Sequence, residues 1–161
     1  FGPLVVPSDT RFLPPGDMTP RIQAFCRETG QAVPESRGAI LRCAQESLAL
    51  EYRWVAERLD DLVGHRLDTI HIIGGGSKNN LLNQLAADAT GRQVVAGPVE
   101  ATALGNVLVQ ALALGHIDSI ADGREIIRRS FALKTFTPQD TEAWEEAYAK
   151  YVNLRRQAAV D

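Results

Sequence analysis

A helix-rich α/β domain, with a small sheet flanked by helices, is the fold that this sequence predicts, on three observations. A short apolar run at residues 69–73 ends in three consecutive glycines and passes directly into a helical pattern. A second short run, at 93–96, returns just after that helix. Such a strand–loop–helix–strand unit favours a parallel strand pair with a right-handed crossover. Most of the remaining chain carries apolar residues at helical spacing.

Taken in order, residues 1–16 read as extended coil, because Pro3, Pro7, Pro14, Pro15 and Gly16 are spaced so that no element persists. Asp17 can cap a first helix, with Pro20 tolerated in the opening turn; that helix runs to about Glu28 and stops at Gly30. Pro34 breaks the chain, and a long helix follows over 36–63. Its apolar stripe is Ile40, Ala44, Ser47, Leu48, Val55, Leu59 and Leu62, with Glu46, Glu51, Arg53, Glu57, Arg58 and Asp60 largely off it. Gly64 ends it; Tyr52 and Trp54 read as core or rim aromatics. The first strand spans about 68–73, and His71 within it reads as a core or partly buried histidine. The next helix covers 78–90, with Leu81, Leu82, Leu85, Ala86 and Ala89 on one face and Gly91 closing it. After the second strand Gly97-Pro98 turns the chain. The helix at 101–114 is rich in small residues (Ala101, Ala103, Gly105, Ala111, Ala113), which allow a close approach of a neighbour. Ser119 or Asp118 can cap a helix to about Arg129, and 131–136 is irregular or a short strand. Thr137 as N-cap and Pro138 in the first turn open a final helix to about 158.

The 161 residues suffice for one domain, or for a large piece of a bigger protein. The net charge of −3 is made of mixed signs with no basic face, which argues against a nucleic-acid surface. No run of 18 apolar residues is present, so no transmembrane helix is expected. The opening FGPLVVP lacks the basic start of a signal peptide, and with no initiator Met the chain reads as part of a longer protein. The two cysteines, Cys26 and Cys43, allow two readings. One is a pair of free, buried thiols in a cytoplasmic protein; the other is a disulfide between adjacent helices joined by a short Pro-containing turn. No third Cys and no paired His suggests zinc, and His65, His71 and His116 are scattered. The acids Asp17, Asp60-Asp61 and Glu145-Glu146 read as solvated charge or caps.

The sequence Gly74-Gly75-Gly76-Ser77-Lys78-Asn79 is where chemistry is expected. Bare main chain lets a flat ligand lie against it, and free N–H groups at a helix start can hold an oxygen or a phosphate. The dinucleotide fingerprint is absent, because Asn79 stands where a third glycine is needed and Val94-Val95-Ala96 ends without an acid. A P-loop is absent too, since no Gly-Lys-Ser/Thr ending follows. A plain strand-to-helix turn is the bland alternative. Asn79 and Asn80 can serve as helix caps, yet a carboxamide also matches the edge of an adenine.

The segments IHIIGGGSKNNLLNQLAADATGRQV and GPVEATALGNVLVQALALG resemble the C-terminal domain of the FGGY carbohydrate kinases, of the actin and hexokinase superfamily. The flanks RFLPPGDMTPRIQAFCRETGQ, ESLALEYRW and TFTPQDTEAWEEAYAKY agree, so the resemblance covers essentially the whole chain. It implies an actin-like ATPase (ribonuclease H-like) lobe over 1–161, with ATP as cofactor and Mg2+ in the full-length enzyme. It also implies a cytoplasmic setting, an adenine nucleotide and a sugar as partners, and neither nucleic acid nor membrane. By the same resemblance Gly75 is the main-chain approach to the nucleotide, Gly74 and Gly76 make room beside it, and Asn79 lies at the adenine. Glu100, which could cap its helix, is structural support together with Ala103 and Gly105. Motifs for the catalytic Asp, the sugar contacts and the first phosphate loops are not in this sequence. The resemblance therefore implies an N-terminal sugar-binding lobe that is absent here, no catalytic or metal residue in this chain, and no catalysis by it alone. Similar sequences in the family carry cysteines where Cys26 and Cys43 fall, which implies their pairing. Kinases of other sugars (xylulose, fuculose or glycerol type) and a non-catalytic nucleotide-binding module stay open as alternatives. So does a Rossmann-like enzyme using a dinucleotide or S-adenosylmethionine.

Overall fold

A computed structural model describes residues 1–158 of the chain. Among them are six α-helices and three strands: α1 (Met18–Glu28), α2 (Arg37–Val63), β1 (Thr69–Ile72), α3 (Asn80–Thr90), β2 (Gln93–Ala96), α4 (Ala101–Ala113), α5 (Ile120–Ser130), β3 (Lys134–Phe136) and α6 (Glu142–Ala158). The expected caps form. Asp17 accepts from the Thr19 N–H at 2.9 Å, Ser36 from Ala39 at 3.1 Å and Ser119 from Asp122 at 3.2 Å. Gly64 and Gly91 close their helices in the left-handed conformation, with φ of 77° and 60°. The sheet order is β1-β2-β3. β1 and β2 are parallel, with Thr69 opposite Gln93 and Ile72 opposite Ala96, and β3 runs antiparallel to β2.

Two apolar clusters hold the domain. The larger joins α1, α2, α3 and α6 through Phe25, Cys26, Cys43, Leu50, Leu82, Leu85, Tyr151 and Leu154. The smaller lies between α3 and the sheet and consists of Ile72, Ala86, Ala87 and Val94. The coil at the N-terminus is drawn into the larger cluster, with Leu4, Val5 and Val6 buried. Side chains satisfy its backbone: Gln31 accepts from the Leu4 N–H (2.9 Å) and donates to the Leu4 carbonyl (2.8 Å), and Ser47 Oγ accepts from the Val5 N–H (2.9 Å). A short 3-10 turn, Thr10–Phe12, interrupts the same coil.

Several expectations are corrected. The last helix begins at Glu142, because Thr137 and Gln139 are tied to α3. The Thr137 carbonyl accepts from Gln84 Nε2 at 2.9 Å, and the Gln139 N–H donates to Asp88 Oδ1 at 2.8 Å, which keeps this stretch out of the helix. His71 is exposed, since β1 turns only Ile70 and Ile72 towards the domain. In the second half of α2 the inner line is Tyr52, Ala56 and Asp60, leaving Val55, Leu59 and Leu62 exposed. Glu46, expected off the apolar stripe, is buried and paired with Arg42 one turn earlier. Leu81 faces solvent. Asp60 is no solvated charge: with the buried Arg92 it forms a two-pronged ion pair, and its Oδ1 also accepts from the Leu67 N–H at 2.9 Å. Those bonds, from Arg92 first, hold its carboxyl below the usual carboxylate range. Close approach at a small residue occurs at Gly123, where an added Cβ would lie 3.3 Å from Leu108 Cδ1; at Gly105 it would meet nothing within 4 Å.

Candidate functional site

The glycine turn sits at the end of β1, where the β1–β2 ladder runs on past both strands. The Gly97 N–H donates to the Ile72 carbonyl at 2.8 Å, and the Gly74 N–H to the Pro98 carbonyl at 3.2 Å. Gly74 then turns the chain with φ of 71°, a value that a side chain resists. Gly74–Lys78 forms one short 3-10 helix, and α3 follows directly. The three glycines differ in what surrounds them. A Cβ on Gly76 would point inward, 3.5 Å from Ile72 Cγ2. A Cβ on Gly75 would meet nothing within 4 Å, and Gly75 is exposed. Gly75 is thus where bare main chain faces open space, as a flat ligand requires.

Asn79 is the N-cap of α3: its Oδ1 accepts from the Leu82 N–H at 3.1 Å. The capping role is therefore real, and it leaves the amide Nδ2 as the part of the side chain not used in the cap. A purine ring nitrogen would suit that donor. Asn80 is engaged by a neighbour, its Oδ1 accepting from Lys134 Nζ at 3.2 Å. Ser77 and Lys78, together with Pro98, Glu100, Phe131 and Lys134, border a cleft of about 280 Å³ beside the turn. Glu100 stands at the N-cap position of α4 without a side-chain capping bond. A larger hollow, about 580 Å³, lies among Phe1–Pro3, Thr29–Ala32 and the face of α6, away from the turn.

Sequence reasoning missed the supports of the turn. Ser77 is buried, and its hydroxyl folds back to donate to the Gly74 carbonyl at 2.6 Å. Asn83, one turn into α3 and 0 % exposed, donates from Nδ2 to the Ser77 carbonyl at 3.1 Å. Its Oδ1 finds no partner among the described residues. A buried acceptor left unpaired costs about 1–3 kcal/mol. The only advance signal was a polar residue on the buried side of a helix otherwise lined by Leu and Ala.

The two cysteines meet in the larger core. Both are buried free thiols. Each bears on the other: the interaction with Cys43 lowers Cys26 from the ordinary thiol range, while the interaction with Cys26 and burial push Cys43 well above it. Among the described residues no three His, Cys, Asp or Glu side chains come together as a metal cage. Nor is any described helix long and apolar enough to cross a membrane.

Comparison with known proteins places these features in a family. Residues 1–114 match the model of the C-terminal domain of the FGGY family of carbohydrate kinases. The chain is 51% identical over 156 residues to a rhamnulokinase of Bacteroides thetaiotaomicron, covering 97% of this chain and 32% of that protein. It is 48% identical over 131 residues to a rhamnulokinase of Klebsiella pneumoniae subsp. pneumoniae, covering 81% and 27%. The chain thus spans about a third of the length of these relatives. Among solved structures, the crystal structure of xylulose kinase from Rhodospirillum rubrum aligns with a TM-score of 0.57 at 25% identity, over 81% of this chain and 26% of that one. The helix-rich lobe with its small sheet is that of the actin-like ATPase fold. The chain belongs to the FGGY family of carbohydrate kinases, as a C-terminal domain.

Proposed function

We propose that this chain is the ATP-side lobe of a two-lobed sugar kinase, and that the sugar is L-rhamnulose, phosphorylated on its 1-hydroxyl. The observation that carries the nucleotide site is Gly75, an exposed main-chain position with open space where a side chain would stand. The purine end of ATP lies there, with Asn79 Nδ2 donating to a ring nitrogen. Residues 74, 76 and 79 shape the turn around it. The choice of sugar is supported by the 51% identity to a rhamnulokinase across nearly the whole chain.

In the reaction the sugar oxygen attacks the γ-phosphorus, the bond to the β-phosphate oxygen breaks, ADP leaves, and the hydroxyl proton passes to a base. Within this chain the work is holding and orienting the nucleotide. Two of its acids are engaged elsewhere in the domain: Asp60 with Arg92, and Glu145 with Arg53. The base, the sugar pocket and the carboxylate that holds Mg2+ with the phosphates come from an N-terminal lobe. Lobe closure excludes water and aligns the hydroxyl. A cytoplasmic setting, where ATP is supplied, suits this reading. Cys26 and Cys43, both buried in the larger core, pair when a small-molecule disulfide accepts their electrons, which alkylation followed by mass measurement would register as two protected sulfurs.

The test is a coupled assay with L-rhamnulose and D-xylulose side by side. This chain alone gives no turnover with either. The full-length protein turns over L-rhamnulose and loses ATP affinity when Gly75→Val fills the open face. Turnover by this chain alone, preference for D-xylulose, or a Gly75→Val enzyme with unchanged KM for ATP would each refute the corresponding part.

A further inference from the structure

We propose that Asn83 is a positioning residue for nucleotide binding, setting the shape of the glycine turn from inside the domain. The inference rests on the reading of residues 74–79 as the nucleotide site. Asn83 is wholly buried, and the bond its side chain makes goes to the turn: Nδ2 donates to the Ser77 carbonyl at 3.1 Å. Ser77 Oγ then donates to the Gly74 carbonyl at 2.6 Å. Two bonds in series thus link the second turn of α3 to the first glycine. On its other side, Gly74 is held by the Pro98 carbonyl. Between these anchors Gly75 is left exposed, with nothing near it.

Stability does not account for the amide. Its Oδ1 is unpaired, and the helix around it presents Leu82, Ala86 and Ala87 to the cores. A leucine of similar size would remove the orphan Oδ1, but it would leave the buried Ser77 carbonyl without its donor. What leucine lacks is the donor that fixes the Ser77 carbonyl. Asn83 therefore acts through Ser77 and Gly74, and no direct contact with the nucleotide is required of it.

The experiment uses the full-length kinase and reads KM for ATP, KM for the sugar and the thermal midpoint. Asn83→Leu is expected to raise KM for ATP about five- to ten-fold, the equivalent of one hydrogen bond. The sugar KM stays as in the parent, and the midpoint stays close to it, because one unpaired buried acceptor replaces another. Ser77→Ala, which cuts the second bond of the series and leaves the core volume alone, gives the same split with a smaller rise of about three-fold. If both variants keep their KM for ATP within about two-fold of the parent, the proposal is overturned, whatever the midpoint does. It is equally overturned if the sugar KM rises in step with that of ATP, since Asn83 then supports folding in general. Gly75→Val separates this from failure of the underlying reading. If Gly75→Val raises KM for ATP while Asn83→Leu does not, only the present inference falls. If Gly75→Val is silent, the turn is not the nucleotide site.

Discussion

Two helix pairs of this chain have similar apolar content and bury very different amounts of it. α2 and α3 meet along their lengths and fill both cores, with Leu50, Ala86 and Ala87 fully buried and even polar residues such as Ser47 and Asn83 taken inside. α4 and α5 pack on one another and bury only Gly123 between them, leaving Val107, Val109, Leu114 and Ile120 exposed. The glycine turn leads into α3, and its ladder neighbour Pro98 leads towards α4. A ligand site on this domain therefore has one wall backed by a packed core and another backed by a loosely packed hairpin. The difference teaches that apolar composition marks a helix that can be buried, while the partner across from it decides whether it is.

The comparison can be broken at its tight end first. Leu50→Ala removes a fully buried side chain from the larger core. It should cost about 2–5 kcal/mol in a urea unfolding measurement. A loss below about 1 kcal/mol would mean that the α2–α3 core is no better packed than the hairpin.

The next effect is pH-dependent. Arg92 and the Leu67 N–H hold the Asp60 carboxyl below its ordinary pKa. A depressed carboxylate adds stability above the unfolded value of about 3.9, and that stability fades as pH falls through the folded value. Asp60→Asn should therefore unfold at lower urea than the parent at pH 7, and the gap should close as pH is lowered from the unfolded value through the folded one. A constant gap across that range would show that the pair contributes through packing alone.

The smallest effect sharpens the loose end. Gly123→Ala places a Cβ 3.3 Å from Leu108 Cδ1, but a groove of about 160 Å³ beside that leucine gives it room to move. The gain in helix propensity then decides the sign, and the variant should be more stable by up to about 1 kcal/mol. Destabilisation would show that α4 and α5 are packed as tightly as α2 and α3.

Much of this architecture was legible because local chemistry determines it. Asp17, Ser36 and Ser119 cap where a short oxygen precedes a helical run, and Gly64 and Gly91 stop helices where a left-handed residue is needed. The parallel strand pair followed from the helix that separates the two strands, since a strand–helix–strand connection is a crossover. Residues whose environment is set at a distance were not legible. Thr137-Pro138 has every local mark of a helix start, yet bonds to Gln84 and Asp88 of α3 keep the segment out of the helix. His71 lies on the strand face that no described element covers. Asp60 reads as a surface acid until Arg92, 32 positions on, comes to meet it. At the candidate site the glycines and Asn79 could be read directly, being a backbone requirement and a cap. Ser77 and Asn83 could not, because a polar side chain turned inward looks in sequence like one turned out.

The seating of the first residues has a consequence for limited proteolysis. Leu4, Val5 and Val6 occupy interior volume, and Gln31 and Ser47 take the place of a neighbouring strand for them. A protease that cleaved in the exposed stretch Leu13–Gly16 would cut the link between these residues and the rest of the domain. If the segment before the cut came away, it would take three interior side chains with it and leave Gln31 and Ser47 without their bonds, so a single nick would unravel far more of the domain than it severs.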